Sequence, residues 1–282
     1  LFAPGAALAP PGPLNAEDGM IARTVVFTSL AWLALSAGKP TSGPVTTRYR
    51  IETVLDQTVD LSGVGQGEQK QSLTQLALIS VTLTDSGGGK VMHVVVDSVA
   101  LESPVPTPPG ALQALKGAWL HGYIDPQGHT SMGPVSLDTS DVLGQLKAAL
   151  LTFHPRLKPG FKAGDSWSDT AQVETKTQSA QNKTTVVTTY TAGPEETVAG
   201  ANARRLETTF SATSSGKIQN PMAGEMDLES TETGTGVYFV GSDGRFLGGT
   251  STGTGNAKVS SPTLPEVIPV KTSRKSSITV LK

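Results

Sequence analysis

Residues 72–102 read SLTQLALISVTLTDSGGGKVMHVVVDSVALE. On both sides of the glycines, apolar and polar side chains alternate with period 2, the spacing that sends neighbours to opposite faces of a strand. The glycines tolerate the positive φ of a tight hairpin turn. The stretch therefore predicts two antiparallel strands, 72–85 and 90–102, joined through SGGG. The same alternation marks TTRYRIETVLD (46–56) as a strand. It returns through the second half at 166–178, 183–192, 201–213, 224–233, 235–241, 245–254 and 269–281. Most of these runs carry polar residues on one face and modest apolar residues on the other, as a sheet with one wet face requires.

Composition agrees. Of the 282 residues 37% are hydrophobic, enough for a core, while only 16% are charged; Thr, Ser and Gly fill the difference. Surface helices draw on Glu and Lys, and half-exposed strands draw on β-branched residues. A net charge of −2 with no long basic run gives no footprint for nucleic acid. The absence of cysteine removes disulfides, thiol catalysis and thiolate metal sites.

Met20 opens MIARTVVFTSLAWLALSAGK (20–39), with the layout of a secretory signal. Arg23 supplies the basic start, Thr24–Leu35 the apolar run, and Ser36, Ala37 and Gly38 the small residues before a cleavage site. The run is too short for a permanent transmembrane helix. The expected organisation is a leader (1–19), a signal peptide (20–38), a linker (39–45), a β-rich half (46–153), a second linker (154–165) and a second β-rich half (166–282). Export to the periplasm or beyond follows from the signal.

Two segments have helical character. ALQALKG (111–117) suits a short helix. DTSDVLGQLKAALLTF (138–153) places Val142, Leu143, Leu146, Ala149 and Leu150 on one face, with Thr139 or Ser140 as its cap. The halves also echo each other. GAWLHGYIDPQGHTSMG (117–133) aligns with GVYFVGSDGRFLGGTSTG (236–253), and Tyr49 with Trp167. Each long match is an aromatic-rich strand, an Asp turn closed by Gly, and a polar returning strand.

RYRIETVLDQT (48–58), ALQALKGAWLHGYIDPQG (111–128) and LKPGFKAGDSW (157–167) resemble a bacterial domain-of-unknown-function family over about 45–282. Its members are exported, β-rich and usually lipoprotein-like; this chain lacks the cysteine for their lipid anchor. A looser likeness is to periplasmic lipoprotein and lipid carriers, in which a half-barrel sheet cups acyl chains beneath helices. That likeness implies an apolar or amphiphilic ligand.

The chemistry-bearing residues are few. His121, Asp125 and His129 lie close in sequence, and in a hairpin the two histidines could approach as metal ligands; DPQG is equally a type I turn with Asp first and Pro next. GTSTG (249–253) matches a nucleophile elbow, but strand-like sequence surrounds Ser251 and no histidine follows His154. Glu225, Asp227 and Glu229 share one strand face, as a pair of catalytic acids, a calcium site, or a solvated face paired with Arg204 and Arg205. Lys271, Arg274, Lys275 and Lys282 suit an edge strand protected by charge. No phosphate loop, dinucleotide fingerprint or zinc-protease helix is present, so no cofactor, metal or catalytic residue is assigned.

The sequence thus predicts a mainly β protein, a large antiparallel curved sheet or half-barrel from two related halves with one or two short α-helices packed on it. It is expected to be exported and non-enzymatic, binding lipid or another apolar ligand between helix and sheet at Leu76, Trp119, Tyr123, Leu143, Leu146 and Leu150. The alternatives are a structural or adhesion module contacting another envelope protein, and an activity built on the 225–229 acids.

Overall fold

The computed structural model describes residues 43–282 apart from 105–109, 111, 136–145, 148, 152, 177–179, 221–223 and 263–265. The expected leader, signal peptide, most of linker 39–45 and the first half of helix 138–153 lie outside the described residues. Eleven strands are formed: β1 Val45–Asp60, β2 Glu68–Ser86, β3 Gly89–Glu102, β4 Trp119–Ile124, β5 Thr130–Val135, β6 Ser166–Lys176, β7 Ala180–Val198, β8 Ala201–Asn220, β9 Gly224–Gly241, β10 Phe246–Ser260 and β11 Ile268–Leu281. They make one antiparallel sheet in the order β5-β4-β3-β2-β1-β11-β10-β9-β8-β7-β6. From β1, in the middle of the sheet, the strands work outward to β5, cross to the other edge at β6, and return to set β11 beside β1.

The SGGG hairpin forms as expected, with Gly87 and Gly88 at φ 58° and 87°. Three expectations are corrected. The runs 224–233 and 235–241 are a single strand, β9, because Gly234 relieves a side-chain crossing and makes no turn. β11 is central, paired with β1 and β10, so its lysines guard no edge. Of ALQALKG only a 3₁₀ turn, Gln113–Leu115, is formed. Of the expected helix 138–153, residues 146, 147 and 149–151 are helical and residues 138–145, 148 and 152 lie outside the described residues.

Alternation divides the sheet into two faces. The inner one carries the core: Tyr49 and Ile51 of β1, Ala77, Ile79 and Val81 of β2, Met92, Val94 and Val96 of β3, and Leu120 of β4, with Leu146, Leu150, Phe153 and Phe246 packed on them. Tyr49 stands edge-on to Phe153 at 5.0 Å and donates its hydroxyl to the Phe246 carbonyl at 2.9 Å. Burial pushes its pKa up to about 12. A second cluster, Tyr190, Ala192, Leu206 and Val240, takes in Trp167 and shares Tyr238 with the first.

Beyond this apolar end the strands continue without a packed layer among the described residues. Along β8 and β9, inner positions such as Ala212, Ser214, Leu228 and Ser230 are half-buried, while Ser211, Thr213, Glu229 and Thr231 are exposed. Side chains crowd on the concave side of a curled sheet and splay on the convex side, which accounts for this pattern in a half-barrel. Thr at alternate outer positions supplies β propensity on a solvated surface.

Candidate functional site

The expected ligand residues do not line one space. Leu76 pairs with Glu52 and Ala100, Trp119 with Val95, and Tyr123 with Val91. All three are on the outer face, because their neighbours Ala77, Leu120 and Ile124 are the ones turned into the core. Leu146 and Leu150 are on the inner face, 3% and 0% exposed within the packed core. Leu143 lies outside the described residues. A sheet therefore separates Leu76, Trp119 and Tyr123 from the helix, and around Leu146 and Leu150 the space is filled by protein.

The inner face beyond the core holds a different constellation. Register aligns Thr188, Phe210, Gly234, Gly253, Arg274 and Leu55 in one row across six strands, β7 to β11 and then β1. The Phe210 ring lies flat over the two glycines: a Cβ on Gly234 would come within 2.5 Å of its Cε1 and Cζ, and one on Gly253 within 3.0 Å of Cζ. The Arg274 guanidinium sits over that ring, 5.7 Å from its centroid, a cation–π arrangement. Arg274 donates Nε to Glu232 Oε1 at 2.9 Å, and its Nη2 lies 2.9 Å from the same oxygen in an ion pair. The pair is half-exposed, 38% for Arg274 and 27% for Glu232. Among the described residues the other N–H donors of Arg274 make no hydrogen bond. Sequence reading missed this group because its members are far apart in the chain; the signal was Gly234 and Gly253 set inside strands, where glycine often marks close approach.

The histidines of the β4–β5 hairpin part company. Asp125 Oδ1 accepts the backbone N–H groups of Gln127 and His129 at 2.9 and 2.8 Å, and its Oδ2 meets His129 Nδ1 at 2.9 Å. His129 Nε2 lies 3.7 Å from Asp169 Oδ1 on β6, and Arg156 pairs with the same oxygen. Trp167 donates its indole N–H to the Arg156 carbonyl at 2.8 Å. This clasp ties the turn between β4 and β5 to β6, so side chains bring the two edges of the sheet together at one end. Partial desolvation opposes ionisation of Asp125, but its hydrogen bonds and the His129 charge outweigh it and hold the carboxyl below its ordinary value. Asp243 repeats the device: desolvation again opposes, while bonds from Arg245 prevail. His121 instead packs its ring, tilted, against those of His93 and Trp119.

Ser251 is mid-strand, paired with Gly236 and Ser276, so the strained turn of a nucleophile elbow is not formed. Glu225, Asp227 and Glu229 do share the outer face, where Glu225 pairs with Lys217. Arg204 and Arg205, expected as its partners, pair instead with Glu195, Glu196 and Glu207. The outer face of β7 to β10 carries two depressions. One of about 380 Å³ is lined by Thr189, Thr209, Thr235 and Thr252 among others, and one of about 520 Å³ by Lys183, Thr213, Glu229 and Lys258 among others.

No family model matches the chain, and no curated protein matches it. Among solved structures it is similar to OccK9 (OpdG) of Pseudomonas aeruginosa, at 8% identity and TM-score 0.27, over 84% of this chain and 98% of that one. A mutant of the Rh. blastica porin gives 10% identity and TM-score 0.25, over 83% and 100%. A BenF-like porin from Pseudomonas fluorescens Pf-5 gives 9% and 0.23, over 84% and 99%. The expected carrier of an apolar or amphiphilic ligand between helix and sheet is corrected by the structure: the space around Leu146 and Leu150 is filled by protein. Porins carry an outward apolar band. Here the outward positions across β7 to β11 and β1 include Thr189, Thr209, Thr235, Thr252, Lys275 and Val54 in one row and Thr185, Thr213, Thr231, Asn256, Lys271 and Thr58 in another. Among the described residues the exposed large apolar side chains at outer positions include Val91 on β3, Trp119 on β4 and Val187 on β7. No helix among the described residues is long and apolar enough to cross a membrane.

Proposed function

We propose that the chain is a binding protein without catalytic activity, holding a polar ligand on the inner face beyond the apolar core, anchored by Arg274 and Glu232. The observation that carries this is the Arg274 guanidinium, laid on Phe210 and fixed through one Glu232 oxygen while its remaining donors are uncommitted. Glycines at 234 and 253 make room for that arrangement, at a cost in strand stability. Donors on Arg274 beside acceptors on Glu232 suit a ligand that both accepts and donates, the chemistry of sugar and polyol hydroxyls. Hydroxyls of Ser214, Ser230, Thr272 and Ser276 share the face, and Thr184 already bonds Ser214 there at 3.0 Å. The signal-like segment 20–38 supports export as part of this proposal. Two related halves belong to it as well, supported by the Asp125 and Asp243 turns, each of which accepts a backbone N–H two residues on.

The test is an NMR titration of the purified chain with a panel of neutral and acidic sugars. A member of the panel is expected to shift the Arg274 side-chain Nε–H signal and the Gly253 amide, with affinity falling about tenfold or more in Arg274→Ala, the scale of one lost charge-assisted hydrogen bond. Panel-wide silence at these signals, or saturable binding unchanged in Arg274→Ala, overturns the proposal.

A further inference from the structure

His93 and His121 face each other across β3 and β4 as a directly opposed pair. Their ring centroids are 4.7 Å apart and the planes are tilted by 37°. The other two histidines of the chain are engaged elsewhere: His129 lies between Asp125 and Asp169, and His154 meets the Pro155 carbonyl at 3.2 Å. His93 Nδ1 is shut off from water and has no hydrogen-bond partner among the described residues, an expensive state for a ring nitrogen. His121 is exposed, so its own ring is open to solvent, and the Trp119 ring lies 4.8 Å from it.

We propose that His93 and His121 form a site for a borderline divalent metal, Cu(II) or Ni(II), on the outer face of the sheet. Imidazole suits these ions, and both favour tetragonal geometry in which two adjacent positions are taken by nitrogen and the rest by water. Neighbouring strands are about 4.8 Å apart, so opposed side chains start close, and small rotations converge the rings on one ion. A bound ion gives His93 the partner it lacks. The Arg274 anchor is on the opposite face, so this site stands or falls independently of it.

The experiment is titration of tag-free protein with CuCl₂ at neutral pH, followed by tryptophan fluorescence and by electron paramagnetic resonance. One equivalent is expected to quench emission through Trp119 and to give a type-2 spectrum with coupling from two nitrogens. His121→Asn, at an exposed position, is expected to weaken binding by about tenfold or more and leave coupling from one nitrogen; His93→Gln gives the same loss, and His129→Asn leaves the site intact. Absence of stoichiometric binding, binding unchanged in His121→Asn, or binding that follows His129 overturns the proposal.

Discussion

Gly234 shows how one residue decides a face of the sheet. Its missing side chain admits the Phe210 ring, and Phe210 carries Arg274. Gly234→Ala drives a methyl into that ring and the Thr252 carbonyl, and is expected to destabilise the fold by about 1–3 kcal/mol in chemical denaturation. Gly133→Ala, whose Cβ would meet nothing nearer than 3.8 Å, is expected to stay within about 0.5 kcal/mol. Asp125 and Asp243 titrate below their ordinary value of 3.8. Each therefore adds stability that is full above pH 3.8 and is lost as the pH falls through the lower folded-state value. Acid unfolding followed by circular dichroism is expected to become less pH-dependent in the Asp125→Asn, Asp243→Asn double variant. The Asp turns were legible because their hydrogen bonds are local. The Phe210–Arg274 stack was not, because only strand register brings residues 210 and 274 together.

At the scale of elements, strand periodicity located nearly every strand, since alternation records which side of a sheet each residue occupies. It misplaced β11 at an edge because neighbours in a sheet are set by pairing between distant segments, here Tyr49 with Val280. It joined Trp119 and Tyr123 to the helix because an apolar strand residue looks the same whichever face it takes. Leu150, fully buried in the core, is the helix's principal anchor, and Leu150→Ala is expected to cost about 2–5 kcal/mol in urea unfolding. The clasp of Asp169 with Arg156 and His129 secures the edges. Asp169→Asn is expected to lower hydrogen-exchange protection in β5 and β6 while β1 and β11 keep theirs; equal loss throughout would show that the clasp secures the whole sheet.

For the whole molecule, the decisive property is polarity on both sides. The inner face is apolar at the end covered by Leu146, Leu150 and Phe153, and beyond it mixes hydroxyls and glycines with apolar side chains such as Leu55, Phe210 and Leu228 around the Arg274–Glu232 ion pair. The outer face across β7 to β11 is mostly threonine, serine and charge, with Val187, Val237 and Phe239 among them. Such a sheet meets water on the surface that a membrane barrel gives to lipid. Vesicle flotation tests this most directly, with purified protein, no detergent, and vesicles of phosphatidylethanolamine and phosphatidylglycerol. A water-facing outer surface predicts that the chain remains in the dense aqueous fraction as a folded β protein; co-flotation with the vesicles as heat-stable, protease-protected β structure would contradict it.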